Sequence, residues 1–292
     1  CPRRTFGRTE EKVSVIGVGG HHLGRTSESE AIRIVHEALD NGVNFFDNAW
    51  EYHRGRSEEF LGKALQGRRH KAFVMTKHHG RDKRTAMAHL EDSLRRLRTD
   101  HIDLWMFHEC IYEDDPDMIF ARGGGIEAAE EAKRQGKVRY IGFTGHKWPW
   151  ILLKMLAYDY DWDAVLMPLN ILDGSFRSFE RRVLPVLVKR RIAPLAMKTG
   201  ASGIIIRQNI ATAEECWAYV SALPVASIVS GMESVELLRK NLKLASNCKP
   251  MSEKQRIAIR KRTYKYAVKG IYEPFKTTRR FDGPEGRKLH RL

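Results

Sequence analysis

Apolar runs and amphipathic segments alternate along the whole chain. The run "VSVIGVG" (13–19) predicts a strand, and "TSESEAIRIVHEALDNG" (26–42) predicts a helix. In that helix Ser27 and Glu30 suit a capping box, Ile32, Val35 and Leu39 share one face, and Gly42 stops it. The alternation then repeats: strand 43–46, helix 57–67; strand 72–76, helix 84–98; strand 102–107, helix 125–137; strand 140–143, helix 147–157. It closes with strand 163–167, helix 178–190; strand 192–197, helix 212–222; strand 225–230, helix 233–245. The strands are unbroken apolar runs, as expected of a parallel sheet covered on both faces. Eight strand–helix units in about 250 residues predict a single-domain (β/α)8 TIM barrel. A doubly wound open sheet is the alternative. It needs fewer strands and a G-x-G-x-x-G turn after the first, whereas "GVGGHHLG" is a poor match. Residues 5–15 predict a short N-terminal hairpin that plugs the barrel floor.

Composition refines this picture. Residues 1–248 form the barrel, and 249–292 a basic C-terminal extension. The net charge is +15, but the extension alone holds 14 Lys/Arg against 4 Asp/Glu. The rest of the chain therefore carries an ordinary charge, which argues against nucleic acid as a partner. The extension is expected to lie solvated on the barrel surface, and loss of 277–292, which has no apolar period, is expected to leave the barrel folded. No apolar run is long enough to span a membrane. The N-terminus has no apolar signal region, and Cys1, Cys110, Cys216 and Cys248 are scattered. Free thiols in the cytoplasm are expected, with no metal motif.

In a TIM barrel the chemistry sits at the C-terminal ends of the strands. Asp47, Lys77, His108, Thr144, Asn170, Lys198 and Ser230-Gly231 follow seven successive strands. Each alone has a plainer reading, as a helix cap, a surface lysine or a core histidine. Together they converge on one mouth. Asp47 and Lys77 suit a buried ion pair. A Tyr52 phenol next to that ammonium is expected to have its pKa lowered toward neutrality, and so to trade a proton with a carbonyl oxygen. His108 is placed to orient that oxygen. Such chemistry needs a hydride donor.

The segment "FFDNAWEY", Lys77 after "FVMT", His108 in "LWMFHE", and "SGMESVELLRKNL" together resemble the aldo-keto reductase family. The resemblance spans residues 3–246. It implies a monomer or weak homo-oligomer that reduces a small-molecule aldehyde or ketone, with Asp47, Tyr52, Lys77 and His108 as the catalytic four. It also implies NADP(H), with NAD(H) as the alternative. The implied cofactor contacts are Gly20, Thr144, Gly145, Asn170, Leu195, Lys198, Ser230, Gly231, Met232, Glu233, Leu237, Lys240 and Asn241. Thr144-Gly145 stands where the family often has Ser-Asn, Leu166 where it has Gln, and Ile192 where it has an aromatic. His146 and Asn170 are the available substitutes, and Lys198 is aimed at the pyrophosphate or the substrate.

Near the final helix Leu237 occupies the place of the usual clamping Arg, and Glu233 opposes a 2′-phosphate. A preference for NADPH of less than about 100-fold follows. The altered carboxamide contacts keep a second class open, a low-turnover cofactor-binding redox sensor or partner-docking barrel.

Overall fold

In the computed structural model, which describes residues 1–292, eight parallel strands close into a barrel. A two-stranded antiparallel hairpin, β1 (Arg3–Thr5) and β2 (Lys12–Ser14), precedes it. The barrel strands are β3 (Ile16–Gly19), β4 (Phe45–Asp47), β5 (Phe73–His78), β6 (Ile102–Phe107), β7 (Val138–Thr144), β8 (Ala164–Pro168), β9 (Ala193–Met197) and β10 (Ser227–Gly231). β10 pairs with both β9 and β3, which completes the ring. The run 13–19, read as one strand, is thus two. The chain leaves the hairpin at Ser14 and enters the barrel at Ile16.

Successive side chains of a strand face opposite ways. One parity of each strand fills the barrel interior: Phe45 on β4, Phe73 and Met75 on β5, Leu104 and Met106 on β6, Leu166 on β8, Ala193 and Leu195 on β9. Phe6 and Val13 from the hairpin are fully buried in the same cluster and close the floor. The opposite parity, with Val74, Trp105, Ile141 and Val165, meets the surrounding helices in a larger cluster.

The helices begin where their caps stand. Ser27 Oγ accepts from Glu30 N at 3.2 Å. The box is only half formed, since Glu30 Oε1 accepts instead from Val235 N at 2.9 Å and ties the first long helix to the last barrel helix. Asp82 caps Lys83–Leu97, and Thr212 with Glu215 makes a complete capping box on Ala213–Ser221.

The extension corrects one expectation. It is not a solvated appendage. Ser252 caps a helix over Glu253–Ala267, and the chain then crosses the C-terminal mouth of the barrel. Glu273, Phe275, Lys276 and Asp282 are buried. Lys276 Nζ lies 2.7 Å from Asp173 and 3.0 Å from Glu273, all three enclosed. Arg256 and Arg260 face Glu180, so part of the basic charge is matched within the fold.

Candidate active site

The inward parity of the strands continues past their apolar part and turns polar at the mouth. After Phe45 comes Asp47, after Met75 comes Lys77, and after Met106 comes His108. Register places Asp47 beside Met75 and Lys77 beside Met106. Asp47, Lys77 and His108 are 5%, 1% and 6% exposed. Lys77 Nζ donates to Asp47 Oδ1 and to the backbone oxygen of Asn48. Tyr52 stands in the 3-10 turn Tyr52–Gly55, directly after the β4 loop. Its ring lies edge-on to His108, centroids 5.7 Å apart, and Lys77 Nζ is 4.8 Å from its ring centre. The four predicted catalytic residues thus share one pocket.

The electrostatics differ from the sequence expectation in one respect. Burial holds the Tyr52 phenol well above 10, and the negative charges of Asp47, Glu51 and Glu109 push it the same way. The Lys77 ammonium is committed to Asp47 and Asn48, so it does not offset them at the phenol. Tyr52 is thereby kept protonated, the form in which it can donate. His108 is held well below 6.5 by burial, then by His79 and Lys77, and is therefore neutral. Burial raises Asp47 against the opposing pull of Lys77.

Three groups that the sequence reading overlooked complete the pocket. Glu51 precedes Tyr52, His79 follows Lys77 by two residues, and Glu109 follows His108. Burial pushes Glu109 up to about 7. Its backbone is left-handed at φ 49°, as is that of Lys198 at φ 56°, an uncommon conformation for residues other than glycine and one found often at functional sites. Glu109 Oε2 accepts from Gly283 N at 2.7 Å, which anchors the C-terminal segment over the mouth. Asp282 accepts from Tyr112 Oη at 2.9 Å and from Lys147 Nζ at 2.6 Å, and His146 Nε2 lies 3.8 Å away. Adjacency to each catalytic position was the only available signal for these groups.

The predicted cofactor residues divide. Gly20 meets the end of β4, where a Cβ would stand 2.4 Å from Asp47 O. Ser230 and Gly231 end β10, half-buried, and Asn241 Nδ2 bonds Ser230 Oγ at 3.2 Å and Gly231 O at 3.3 Å. Glu233 faces Arg25 at 3.3 Å and His22 at 4.0 Å. Lys198 Nζ has a single hydrogen-bond partner, Met197 Sδ at 3.5 Å, and burial lowers it to about 8. A half-buried ammonium without a carboxylate in hydrogen-bond range fits an anionic ligand, whereas the N-terminus of the helix Val235–Asn247 is already taken by Glu30 and Ser234.

Other predicted contacts are occupied or turned away. Asn170 gives its amide to Glu273 at 2.9 Å, and its oxygen accepts from Leu172 N and Asp173 N. Leu195 and Met232 are enclosed in the cores. Thr144 and Gly145 pack against Cys110, whose N donates to Thr144 O. Leu237 is exposed. Lys240 pairs with Glu236 at 2.7 Å, and Arg239 with Glu37.

Fold and site together define a (β/α)8 barrel with a Tyr–Lys–Asp–His pocket at its C-terminal mouth. The profile of the Aldo/keto reductase family matches residues 15–270, and the chain belongs to that family. An uncharacterized oxidoreductase of Bacillus subtilis, YqkF, is 28% identical over 89% of this chain and 96% of its own length. The L-galactose dehydrogenase of Arabidopsis thaliana is 35% identical over 49% of this chain and 48% of its own. Among solved structures, the holo form of an aldo-keto reductase from Bacillus halodurans superposes with a TM-score of 0.76 at 27% identity, over 89% of this chain and 95% of that one.

Proposed function

We propose that the protein reduces an aldehyde or ketone with NADPH and that Tyr52 is the general acid. The observation that carries this reading is the meeting of Tyr52, Lys77, Asp47 and His108 at one end of the barrel. Bound NADPH supplies a hydride to the carbonyl carbon. Tyr52 gives its proton to the carbonyl oxygen as negative charge develops there. His108, neutral, offers an N–H to the same oxygen and fixes its direction. Lys77 and Asp47 hold the pocket's polarity and place a positive charge near the Tyr52 ring. The C-terminal segment 273–292 walls the mouth and keeps water from the reacting oxygen.

The residues suited to the cofactor are Gly20, Lys198, Ser230, Gly231 and Asn241. Arg25 joins them as a cation beside Glu233. A carbonyl screen with NADPH and NADH tests the reading. Turnover of an aldehyde or ketone that Tyr52→Phe suppresses supports it. Cofactor binding with no turnover on any carbonyl favours the sensor or docking barrel instead.

A further inference from the structure

Beside the four catalytic positions lie Glu51 and His79, two side chains that the proposed reaction does not use, and both stand close to the ring nitrogen of His108 that the reaction leaves free. Glu51 Oε1 is 3.1 Å from His79 Nε2 and 3.4 Å from His108 Nδ1. The three ligand atoms lie within 4.8 Å of one another. His79 is 4% exposed and His108 6%. Although these atoms are close, they are poorly paired by hydrogen bonds. Both nitrogens of His79, Nδ1 of His108 and Oε2 of Glu51 are enclosed without a hydrogen-bond partner. Buried polar atoms are nearly always satisfied, so four in one cluster call for an explanation.

The spacing supplies one. Two imidazoles and a carboxylate are a common ligand set for zinc. With metal–ligand bonds of about 2.0–2.1 Å, neighbouring ligand atoms in a tetrahedron stand about 3.3–3.4 Å apart. The two separations from Glu51 Oε1 are close to that edge, and the two histidine nitrogens, within 4.8 Å of each other, reach it by side-chain rotation when an ion binds. We propose that Glu51, His79 and His108 bind one divalent transition-metal ion, with zinc the best fit. Glu51 Oε1, His79 Nε2 and His108 Nδ1 are the ligands, and a fourth position remains for water or another small ligand.

The enclosure fits a bound ion. Gly283 lies against Glu51, where a Cβ would stand 2.6 Å from Oε1 and 2.7 Å from Oε2. The C-terminal segment therefore walls the cluster. Coordination through Nδ1 leaves the proton of His108 on Nε2 and so selects one tautomer of that ring. The three ligands come from the ends of β4, β5 and β6, which are adjacent strands of the barrel. The assignment rests on ligand geometry, and it shares with the reductase reading only His108, whose other ring nitrogen that reading uses.

The test is equilibrium dialysis of the full chain against Zn2+, with Co2+ as a spectroscopic probe. One ion per chain is expected. His79→Gln and Glu51→Gln should each weaken binding by more than the 10–100-fold typical of losing an outer partner of a ligand. Circular dichroism of each variant in metal-free buffer checks that it folds, and either variant alone is sufficient. The wild-type Co2+ complex should show the intense visible bands of a four- or five-coordinate site. A faint, octahedral-type spectrum would overturn the proposal without recourse to any variant. Retention of no ion would also overturn it. So would equal affinity in both variants, which would assign the ion to the outlying thiols Cys1 and Cys248.

Discussion

At the residue scale, the pocket turns on what each buried charge is doing. Lys77 is enclosed by Asp47 and Asn48 O and meets Tyr52 only over its ring. Tyr52→Phe keeps that packing and removes only the proton. A fall in kcat of at least about 100-fold is expected, the usual scale of general acid loss, with cofactor affinity unchanged. Stopped turnover with an unaltered dinucleotide titration is the predicted pair of readings, and full activity would remove Tyr52 from the acid role. Lys77→Met has a different signature. It strands Asp47, whose buried carboxylate then lacks its cation, at a cost of about 3–5 kcal/mol. Chemical denaturation should register that loss as well as the loss of activity. A Lys77→Met chain as stable as the wild type would mean that Asp47 simply takes up a proton, as its raised pKa permits.

At the element scale, the question is which dinucleotide the last barrel helix prefers. Along the chain, Arg239 and Lys240 are the cations nearest the start of that helix. Both point elsewhere, to Glu37 and Glu236. The cation beside Glu233 is instead Arg25, from the loop after β3, which sequence distance conceals. With Glu233 present, Arg25 is partly neutralised, so an NADPH preference below about 100-fold is expected in kcat/KM. Glu233→Ala releases Arg25 and should shift the preference further toward NADPH. Arg25→Ala should move it the other way. Both residues are about half exposed, so each change is small in energy and grows at low salt. If neither substitution changes the ratio, the 2′-position is not bound here.

At the scale of the whole molecule, the C-terminal segment is the part whose attachment depends on pH. Burial would raise Asp282, but its contacts with His146, Lys147 and Tyr112 outweigh that and hold it at about 2. A depressed carboxyl pKa contributes stability that is fully present above its unfolded value near 4 and is lost as pH falls through about 2. Hydrogen exchange across residues 279–292 should therefore quicken between pH 4 and pH 2, before the barrel strands lose protection. Asp282→Asn should quicken the same amides at pH 7. Exchange of the segment and strands in a single step would show that the mouth cover and barrel form one cooperative unit. Deleting 277–292 should still leave a folded barrel by circular dichroism, because the strand pairings and the hairpin plug lie outside the deletion.

Much of this architecture was legible along the chain. Eight apolar runs with helical segments between them imply a closed parallel barrel. Asp47, Lys77 and His108 continue the inward parity of Phe45, Met75 and Met106, so their convergence follows from the period-2 geometry of strands. Three features were decided only in three dimensions. The helix Glu253–Ala267 and the turns beyond it have polar sequences, and only Phe275, Lys276 and Asp282 meeting their partners make them a cover for the mouth. The phenol of Tyr52 is raised rather than lowered, because the direction of the Lys77 side chain and the depth of burial decide the sign. Glu51, His79 and Arg25 acquire their neighbours from residues tens or hundreds of positions away. Local pattern dictates which residues lie inward on a strand. It does not dictate which distant charge meets them, since that depends on how loops and the C-terminal segment pack once the barrel has closed.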